Sequence, residues 1–354
     1  TLEGGRGGTV TSSGHAAETL VLFPLMAPGM EVIVSNKLYG GTINLMGKSF
    51  RKFGWNAVFV DNDNPEAFRA AVTDKTRAIF VDSLAKPGGV IVDLEAIAKI
   101  AQEAKVPLIV DNTMATPWLC RPFEWGADLV VHSTTKFLSG QGNAMGGIVI
   151  DSGRFPWFGN AKYPSLSEPC PDYNGLTFAE TFGDMAFTLY SHAVSLRDLG
   201  CTQSPMNAWI TLNGVETLPL RMERHVENAQ KVADFLHKHP SVEWVSYAGL
   251  SSSPYYQLAQ KYLQGKAGSV FTFGIRGGYE SGLRLLEKVE LFSHVSNIGD
   301  SRSLILHPAS TTHRQLSDEQ RLTAGAGPEV IRLSVGIESA EDLIADLEQA
   351  LEGL

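Results

Sequence analysis

Short runs of β-branched residues alternate with stretches of helical spacing between residues 30 and 150. The pattern predicts strands at residues 31–35, 57–61, 78–82, 108–111, 129–132 and 147–150. It also predicts helices at 65–72 and 94–104, with Asp93 as the N-cap of the second. Because strands and helices that alternate in this way form βαβ units, we predict an α/β fold with a mostly parallel central sheet. Ligands bind beyond the carboxyl ends of such strands, so the polar residues that close them are candidate site residues.

The second half of the chain has a different pattern. Residues 151–205 are irregular and rich in Pro, Gly and aromatic residues, which predicts a long functional loop. An amphipathic helix at 215–239 is predicted to lead into a second domain. Strands at 269–275 and 330–335 with helices at 282–289 and 340–352 indicate a smaller C-terminal α+β domain. The predicted domains are residues 1–208 and 209–354.

Composition narrows the range of partners. The 354 residues include 29 Lys and Arg against 38 Asp and Glu, which gives a formal net charge of −9. This charge argues against a nucleic-acid partner or an anionic membrane surface. Three widely spaced cysteines and the lack of a long apolar stretch predict a cytoplasmic globular protein. The opening residues 2–5 resemble the end of a helix, so we expect an upstream segment to precede Thr1.

The most informative residues are an aspartate and a lysine that each follow a predicted strand. Asp111 closes the strand at 108–111, and Lys136 stands 25 positions later, at the end of residues 132–136. A parallel sheet brings both residues to the same edge. Pyridoxal phosphate needs such a pair, because a lysine forms an imine with its aldehyde and an anion keeps its ring nitrogen protonated. Taken singly, Asp111 also fits a strand-end turn and Lys136 a surface cation.

A third element points to the same cofactor. Residues 9–17 predict a strand, a turn of small residues and the start of a helix, with Ser13, Gly14 and His15 at the turn. A helix start presents unpaired N–H groups to an anion, so this turn is a candidate phosphate site. Hydroxyl groups from Ser133 and Thr135 would add donors. Ordinary helix capping by a serine explains the same pattern.

Two further residues are candidates, one for contact with a flat cofactor and one for a substrate carboxylate. Tyr39, followed by two glycines, has a ring able to lie over a flat cofactor, although half-buried tyrosines are common. Arg332 lies in an apolar strand, and its guanidinium group suits a substrate carboxylate or an internal ion pair. Histidines such as His237 and His239 lack the spacing of zinc ligands, so no metal is predicted.

Taken in order, these segments resemble the Cys/Met-metabolism pyridoxal-phosphate enzymes of fold type I, along essentially the whole chain. The resemblance rests on sequence words at residues 13–17, 38–42, 110–113, 132–136, 297–300, 307–313 and 332–336. It implies an α/β fold with a mostly parallel central sheet and a smaller C-terminal α+β domain. It also implies pyridoxal 5'-phosphate as the cofactor.

The resemblance implies a role for individual residues. Lys136 is implied to bond to the cofactor, Asp111 to face the ring nitrogen, and Tyr39 to stack on the ring and take part in catalysis. The implied phosphate-binding residues are Ser13, Gly14, His15, Ser133 and Thr135. The implied substrate-binding residues are Asn112, Asn297 and Arg332, and cystathionine-type relatives usually carry serine in the place of Asn297.

The implied reaction is a γ-replacement, in which sulfide or methanethiol replaces the acetate of O-acetyl-L-homoserine to give L-homocysteine or methionine. Gly41 favours this reaction, because methionine γ-lyases usually carry cysteine at that place. Three alternatives remain: a methionine or homocysteine γ-lyase, a cystathionine γ-synthase, and a non-catalytic relative with the same fold. The resemblance also implies a homotetramer, built as a dimer of dimers, in methionine biosynthesis.

The chain departs from the family pattern in two places. Lys86 stands where relatives carry asparagine, which we expect to alter substrate preference. Relatives also have an upstream segment whose Tyr and Arg reach the phosphate site of a neighbouring subunit. If that segment is absent, we expect cofactor affinity and tetramer assembly to suffer.

Overall fold

The computed structural model describes residues 1–85, 89–315 and 317–354. The strands are β1 (Gly7–Thr11), β2 (Glu31–Ser35), β3 (Asn56–Val60), β4 (Thr76–Asp82), β5 (Leu84–Ala85), β6 (Val90–Ile91), β7 (Leu108–Asp111), β8 (Leu129–His132), β9 (Gly147–Asp151), β10 (Val242–Ser246), β11 (Val270–Ile275), β12 (Ser293–His294), β13 (Leu304–Leu306) and β14 (Val330–Ser334).

The α-helices are α1 (Gly14–Leu22), α2 (Gly40–Asn44), α3 (Pro65–Ala70), α4 (Leu94–Ala104), α5 (Thr116–Leu119), α6 (Pro164–Ser167), α7 (Phe178–Phe182), α8 (Ala186–Tyr190), α9 (Arg197–Leu199), α10 (Pro205–Glu216), α11 (Leu218–Lys238), α12 (Tyr256–Tyr262), α13 (Gly278–Lys288), α14 (Asp318–Thr323) and α15 (Ala340–Leu351). Within the described residues, none of these helices has both the length and the apolar character needed to cross a bilayer.

The chain divides into two compact units. The larger unit contains Thr1–Ser83, Val92–Thr135 and Asn143–Leu212. The smaller unit contains β5, β6, Lys136–Gly142 and Asn213–Leu354.

A seven-stranded sheet forms the centre of the larger unit, in the order β1-β9-β8-β7-β4-β2-β3. Strands β3, β2, β4, β7 and β8 pair in parallel, whereas β9 is antiparallel to both of its neighbours. The prediction of a mostly parallel sheet is confirmed. The register places Asp111 beside Asp82 on one side and Val131 on the other, so β4, β7 and β8 end at one edge.

Burial on both faces explains the apolar runs that form this sheet. Ile79, Val110 and Leu129, on three neighbouring strands, have no exposed surface. Helix α4 has the predicted N-cap, because the Asp93 carboxylate accepts a hydrogen bond from the backbone N–H of Ala96 at 3.3 Å. The buried side chains of α4 recur every three or four residues, and they are Leu94, Ile97, Ile100 and Ala101.

Residues 151–205 are more regular than predicted. Helices α6 to α9 and a π-helical turn at Ser191–Leu196 lie in this range. Trp157 and Phe187 are buried, and their rings stack with a centroid distance of 5.6 Å and an angle of 24°. The prediction of one irregular loop is therefore wrong for the helical part of this range. Proline and glycine mark turns between short helices, since Pro164 begins α6 and Gly183 follows α7.

The smaller unit contains a five-stranded sheet in the order β10-β11-β14-β13-β12, which is antiparallel except for the pair β12–β13. Helices α11, α13 and α15 belong to the same unit. This arrangement confirms the predicted α+β character of the C-terminal part. The predicted helix at 215–239 is confirmed as α11, which begins three residues later, at Leu218, and ends at Lys238; the separate helix α10 precedes it and ends at Glu216. Pro219 lies in the first turn of α11, where its missing N–H leaves no hydrogen bond unmade.

The division between the units differs from the predicted one. The main break falls after Leu212, four residues later than predicted, and Lys136–Gly142 belongs to the smaller unit. Hydrogen bonds explain this assignment. Arg221 on α11 donates to the carbonyl of Phe137 at 2.8 Å, and the Ser301 hydroxyl donates to the carbonyl of Gly140 at 2.8 Å. Lys136 is thus the first residue of a segment that the smaller unit holds.

Candidate active site

The start of helix α1 is the candidate phosphate site in the larger unit. Ser13 is its N-cap, and the Ser13 hydroxyl accepts a hydrogen bond from the backbone N–H of Ala16 at 3.1 Å. Gly14 approaches Ser133 closely, because a Cβ at position 14 would lie 2.8 Å from the Ser133 Cβ. The glycine therefore brings the first N–H groups of the helix beside the segment that follows β8. This geometry suits an anion such as a phosphate.

The segment 133–135 is tied to its surroundings by backbone hydrogen bonds. The backbone N–H of Ser133 donates to the Thr113 hydroxyl at 2.8 Å. The Thr135 hydroxyl accepts from the N–H of Gly146 at 3.1 Å and donates to its carbonyl at 3.3 Å. These bonds fix the Ser133 backbone, which lies beside the start of α1, and the Thr135 hydroxyl. A role of Thr135 in phosphate binding stays a prediction, since this hydroxyl already bonds to the backbone.

Asp111 lies at the carboxyl end of β7, as predicted, and its side chain is held by its own turn. The carboxylate accepts a hydrogen bond from the backbone N–H of Thr113 at 2.8 Å. Burial lowers the pKa of His15 on α1, and the negative charge of Asp111 partly opposes that shift. Asp111 and the start of α1 are thus near enough to interact electrostatically.

Tyr39 precedes helix α2 and lies beside His15, with 5.8 Å between the ring centroids and an angle of 34°. The tyrosine side chain is 47% exposed, so a large part of it is not covered within this chain. A Cβ at Gly41 would come within 2.7 Å of the His15 ring nitrogen Nε2, so a side chain there would require the rings of His15 and Tyr39 to shift. The larger unit therefore brings Tyr39, His15 and the start of α1 together.

Asn112 is placed differently from the other predicted residues. Its side chain is fully buried, and its amide nitrogen donates to the Glu3 carboxylate at 2.8 Å and to the carbonyl of Cys120 at 2.9 Å. Its amide oxygen accepts from the Ser83 hydroxyl at 2.7 Å. The same Glu3 oxygen lies 2.6 Å from Nε2 of His132. Because the amide is occupied in this network, the geometry favours a structural role, and substrate binding by Asn112 stays a prediction.

The smaller unit brings together Lys136, Asn297 and Arg332. The Lys136 amine donates to the Asn297 amide oxygen at 2.5 Å, and Arg332 donates to the Asn297 backbone carbonyl at 3.4 Å. Burial, and then the positive charge of Arg332, lower the pKa of Lys136 from its ordinary value. A lysine amine with a lowered pKa loses its proton more easily, which favours nucleophilic attack and proton transfer.

Sequence reasoning did not find three residues near the site. Glu3 and His132 form their pair across 129 positions, and no local pattern indicates a contact at that separation. Glu18 could have been found from the sequence, because it stands four residues after Gly14 and therefore lies one turn further along the same face of the helix. The predicted effect of Lys86 lies outside the described residues.

Comparison with known proteins decides the family. A family model described as Cys/Met metabolism PLP-dependent enzyme matches residues 1–352. The chain belongs to this family. The predicted cofactor, pyridoxal phosphate, and the predicted enzyme class are thereby confirmed.

Individual relatives of this PLP-dependent enzyme are similar over almost its whole length. It is 49% identical to an O-acetyl-L-homoserine sulfhydrylase of Leptospira meyeri, in a match that covers 100% of this chain and 82% of the relative. It is 47% identical to O-acetyl-L-homoserine sulfhydrylase 1 of Thermus thermophilus, in a match that covers 99% of this chain and 83% of the relative. A solved structure from Campylobacter jejuni that carries N'-pyridoxyl-lysine-5'-monophosphate has a TM-score of 0.95 and 41% identity, with 99% of this chain and 84% of that chain covered. The predicted fold type I architecture is thereby confirmed.

The residues of this PLP-dependent enzyme fit its cofactor. Position 14 has no room for a side chain beside Ser133. Because the residue there is glycine, no side chain covers the N–H groups at the helix start, and these groups can bind a phosphate. Tyr39 has an exposed ring for a flat aromatic group, and Asp111 offers a carboxylate for a protonated ring nitrogen. In the smaller unit, Lys136 offers an amine that gives up its proton readily.

Proposed function

We propose that this enzyme catalyses γ-replacement on O-acetyl-L-homoserine, with sulfide as the incoming nucleophile and L-homocysteine and acetate as products. The observation that carries the proposal is the Lys136 amine, which is held at 2.5 Å by Asn297 and whose pKa is lowered by burial and Arg332. This is the environment that a lysine needs to bond to the cofactor and to move protons. The names of the relatives in Leptospira meyeri and Thermus thermophilus support the choice of substrate.

Lys136 and Arg332 are proposed to work as a pair. Arg332 presents a guanidinium group that can bind the substrate carboxylate through two parallel hydrogen bonds. Burial is the larger cause of the lowered pKa of Lys136, and when the substrate carboxylate neutralises Arg332 the second cause, the repulsion from Arg332, weakens. Lys136 Nζ is then better able to accept the proton from the substrate Cα and to deliver it again later. Asn297 orients the amine through the hydrogen bond that it accepts.

The larger unit is proposed to hold the cofactor. When bound, pyridoxal phosphate supplies a protonated ring that delocalises the electron pair left at Cα after proton removal. The N–H groups at Gly14 and His15, with the Ser133 hydroxyl, would bind the phosphate. Asp111 would keep the ring nitrogen protonated through its negative charge. Tyr39 would cover one face of the ring and exclude water from it.

The overall reaction balances without an oxidant or reductant. The bond between Cγ and the ester oxygen breaks, and acetate leaves with the electron pair. A bond between Cγ and the sulfur of hydrosulfide forms, and the Cα proton that Lys136 removed is returned. Methanethiol in place of hydrosulfide would give methionine by the same steps.

We also propose a cytoplasmic homotetramer that works in methionine biosynthesis. Cys120, Cys170 and Cys201, all within the described residues, are free thiols, which suits a reducing compartment. Sedimentation of the purified protein at several concentrations would test the assembly.

The test of the proposed reaction is an assay of the holoenzyme with O-acetyl-, O-succinyl- and O-phosphohomoserine, each with and without sulfide. We expect sulfide-dependent homocysteine formation that is fastest with the acetyl ester. Release of a 2-oxo acid and ammonia at the same rate without sulfide would identify a γ-lyase instead. Preference for the succinyl ester with cysteine as the thiol would identify a cystathionine γ-synthase. A protein that takes up no pyridoxal phosphate would refute the proposal.

A further inference from the structure

Glu18 is a buried acidic residue that the proposed mechanism does not use. It lies on α1, four residues after Gly14, and only 3% of it is exposed. One carboxylate oxygen, Oε1, accepts a hydrogen bond from the Thr42 hydroxyl at 2.7 Å, and Thr42 is itself buried. Thr42 belongs to α2, the helix that Tyr39 precedes. Glu18 therefore joins the helix that starts at the phosphate site to the segment that carries Tyr39.

The surroundings of Glu18 disfavour a negative charge. Its second oxygen, Oε2, is buried and has no hydrogen-bond partner among the described residues. The negative charge of Asp111 acts on it from the end of β7. Burial, and then Asp111, raise the pKa of Glu18 to about 8, although the bond from Thr42 opposes the shift. At neutral pH Glu18 is thus mostly an uncharged carboxylic acid.

Other titratable groups around α1 have separate partners. Three such groups lie on elements that pack against α1, and a fourth lies on α1 itself; they are His132 on β8, Asp151 on β9, His192 in the π-helical turn, and His15. His132 pairs with Glu3, Asp151 accepts from the N–H of Gly153, and His192 lies 3.1 Å from the Gly8 carbonyl. Burial also raises the pKa of Asp151, to about 7, so its contribution must be measured separately.

We propose that Glu18 is a positioning residue of the cofactor site: as an uncharged acid it fastens the Tyr39 segment to α1 and leaves the negative charge at this end of the site on Asp111. The proposal rests on the proposed function, because that function requires Asp111 and Tyr39 to face the cofactor. Ionised Glu18 is a buried charge with no cation paired to it among the described residues, and it is placed near a second carboxylate, so its charge destabilises the packing of α1 against α2 although the Thr42 hydroxyl still donates to it. The site loses its hold on the cofactor as a result.

The sign of the pH dependence follows from the direction of the shift. The carboxyl group has a higher pKa in the folded protein than its ordinary value of 4.5. Its contribution to stability is therefore fully present below that ordinary value and is lost as the pH rises through about 8. With those two values, the unfolding equilibrium constant rises roughly ten- to a hundredfold between pH 6 and pH 9 because of Glu18 alone.

The experiment compares Glu18→Gln with the wild-type holoenzyme, and with Glu348→Gln as an exposed helical control. Glutamine keeps the acceptor for Thr42 and cannot ionise. Two quantities are measured from pH 6 to pH 9: the melting temperature, and the fraction of cofactor retained after gel filtration, read from its visible absorption. We expect the wild type and the control to lose both as the pH rises from 6 to about 8, with little further change above it, and Glu18→Gln to keep cofactor at pH 9 and to melt several degrees above them. Asp151→Asn, measured in parallel, gives the part of the pH dependence of both quantities that is due to Asp151.

Equal pH slopes in the wild type and Glu18→Gln would overturn the proposal. Thr42→Val provides a second test, since it removes the hydroxyl that Glu18 accepts from. We expect this variant to retain less cofactor than the wild type at every pH, and unchanged retention would contradict the link to Tyr39. Neither readout uses a substrate. If Glu18→Gln abolishes the slope while the wild type makes no homocysteine, the role of Glu18 stands and the proposed reaction fails.

Discussion

The two units hold their site residues in different ways. In the larger unit the backbone does most of the holding: Ser13 caps α1, and the N–H of Thr113 fixes the Asp111 carboxylate. In the smaller unit Asn297 holds both other groups, because its side chain binds Lys136 and its carbonyl accepts from Arg332. The site around Ser13 and Asp111, called the backbone-held site below, is rigid and suits a cofactor that stays bound. The site formed by Lys136, Asn297 and Arg332, called the side-chain site below, can change its protonation when a substrate arrives, which suits proton transfer.

The largest expected effect comes from Lys136→Ala, which removes the amine from the side-chain site. We expect the rate of homocysteine formation to fall by about 10⁴-fold or more, because covalent attachment and proton transfer are lost together. Borohydride treatment should trap cofactor on the wild-type chain and none on the variant. The exposed Lys52→Ala variant serves as the control and should behave as the wild type. An undiminished rate in Lys136→Ala would refute the role of this residue.

The buried Glu3 carboxylate supports the backbone-held site, and a single substitution removes it. Glu3→Ala takes away the oxygen shared by His132 and Asn112, so the buried His132 ring nitrogen loses its partner and the Asn112 amide loses one of its two acceptors. We expect the free energy of unfolding to fall by about 3–5 kcal/mol, measured by urea denaturation. The matched control is Glu124→Ala, because Glu124 pairs with Arg121 at the surface and should contribute less than about 1 kcal/mol. Equal losses in the two variants would show that the buried network contributes no more than a surface pair.

Local pattern predicted the backbone-held site better than the side-chain site. The start of α1 and the strand that ends at Asp111 are encoded by neighbouring residues, so their elements could be read from the sequence. The assignment of Lys136 to the smaller unit could not, because it depends on the bond from Arg221 to Phe137, 84 positions away. The burial of Asn112 likewise depends on Glu3, which is 109 positions distant. The family resemblance supplied the predicted role of Lys136 without these contacts.

Arg332→Gln tests whether Arg332 helps to set the pKa of Lys136 in the side-chain site. Removing the guanidinium group raises the pKa of Lys136, since Arg332 lowers it in the wild type. The acidic limb of the rate at which the apoenzyme bonds to pyridoxal phosphate should therefore move to higher pH, because the unprotonated amine attacks the aldehyde. We also expect KM for the amino acid to rise about 10- to 100-fold through loss of the charge-assisted hydrogen bonds. The exposed Arg284→Gln is the control. A raised KM with an unmoved acidic limb would limit Arg332 to substrate binding.

The smallest expected effect separates helix capping from cofactor binding. Ser13 and Ser339 are both N-caps whose hydroxyls accept from a backbone N–H, at 3.1 and 3.3 Å, but Ser339 caps α15 in the smaller unit. Replacing either serine by alanine should lower the free energy of unfolding by about 1 kcal/mol. Only Ser13→Ala should also weaken pyridoxal phosphate binding, by roughly fivefold, because it loosens the N–H groups that face the phosphate. Fluorescence titration of the apoenzyme measures that affinity. The same affinity in both variants would mean that Ser13 caps its helix and contributes nothing to the cofactor, so the backbone-held site would begin at Gly14.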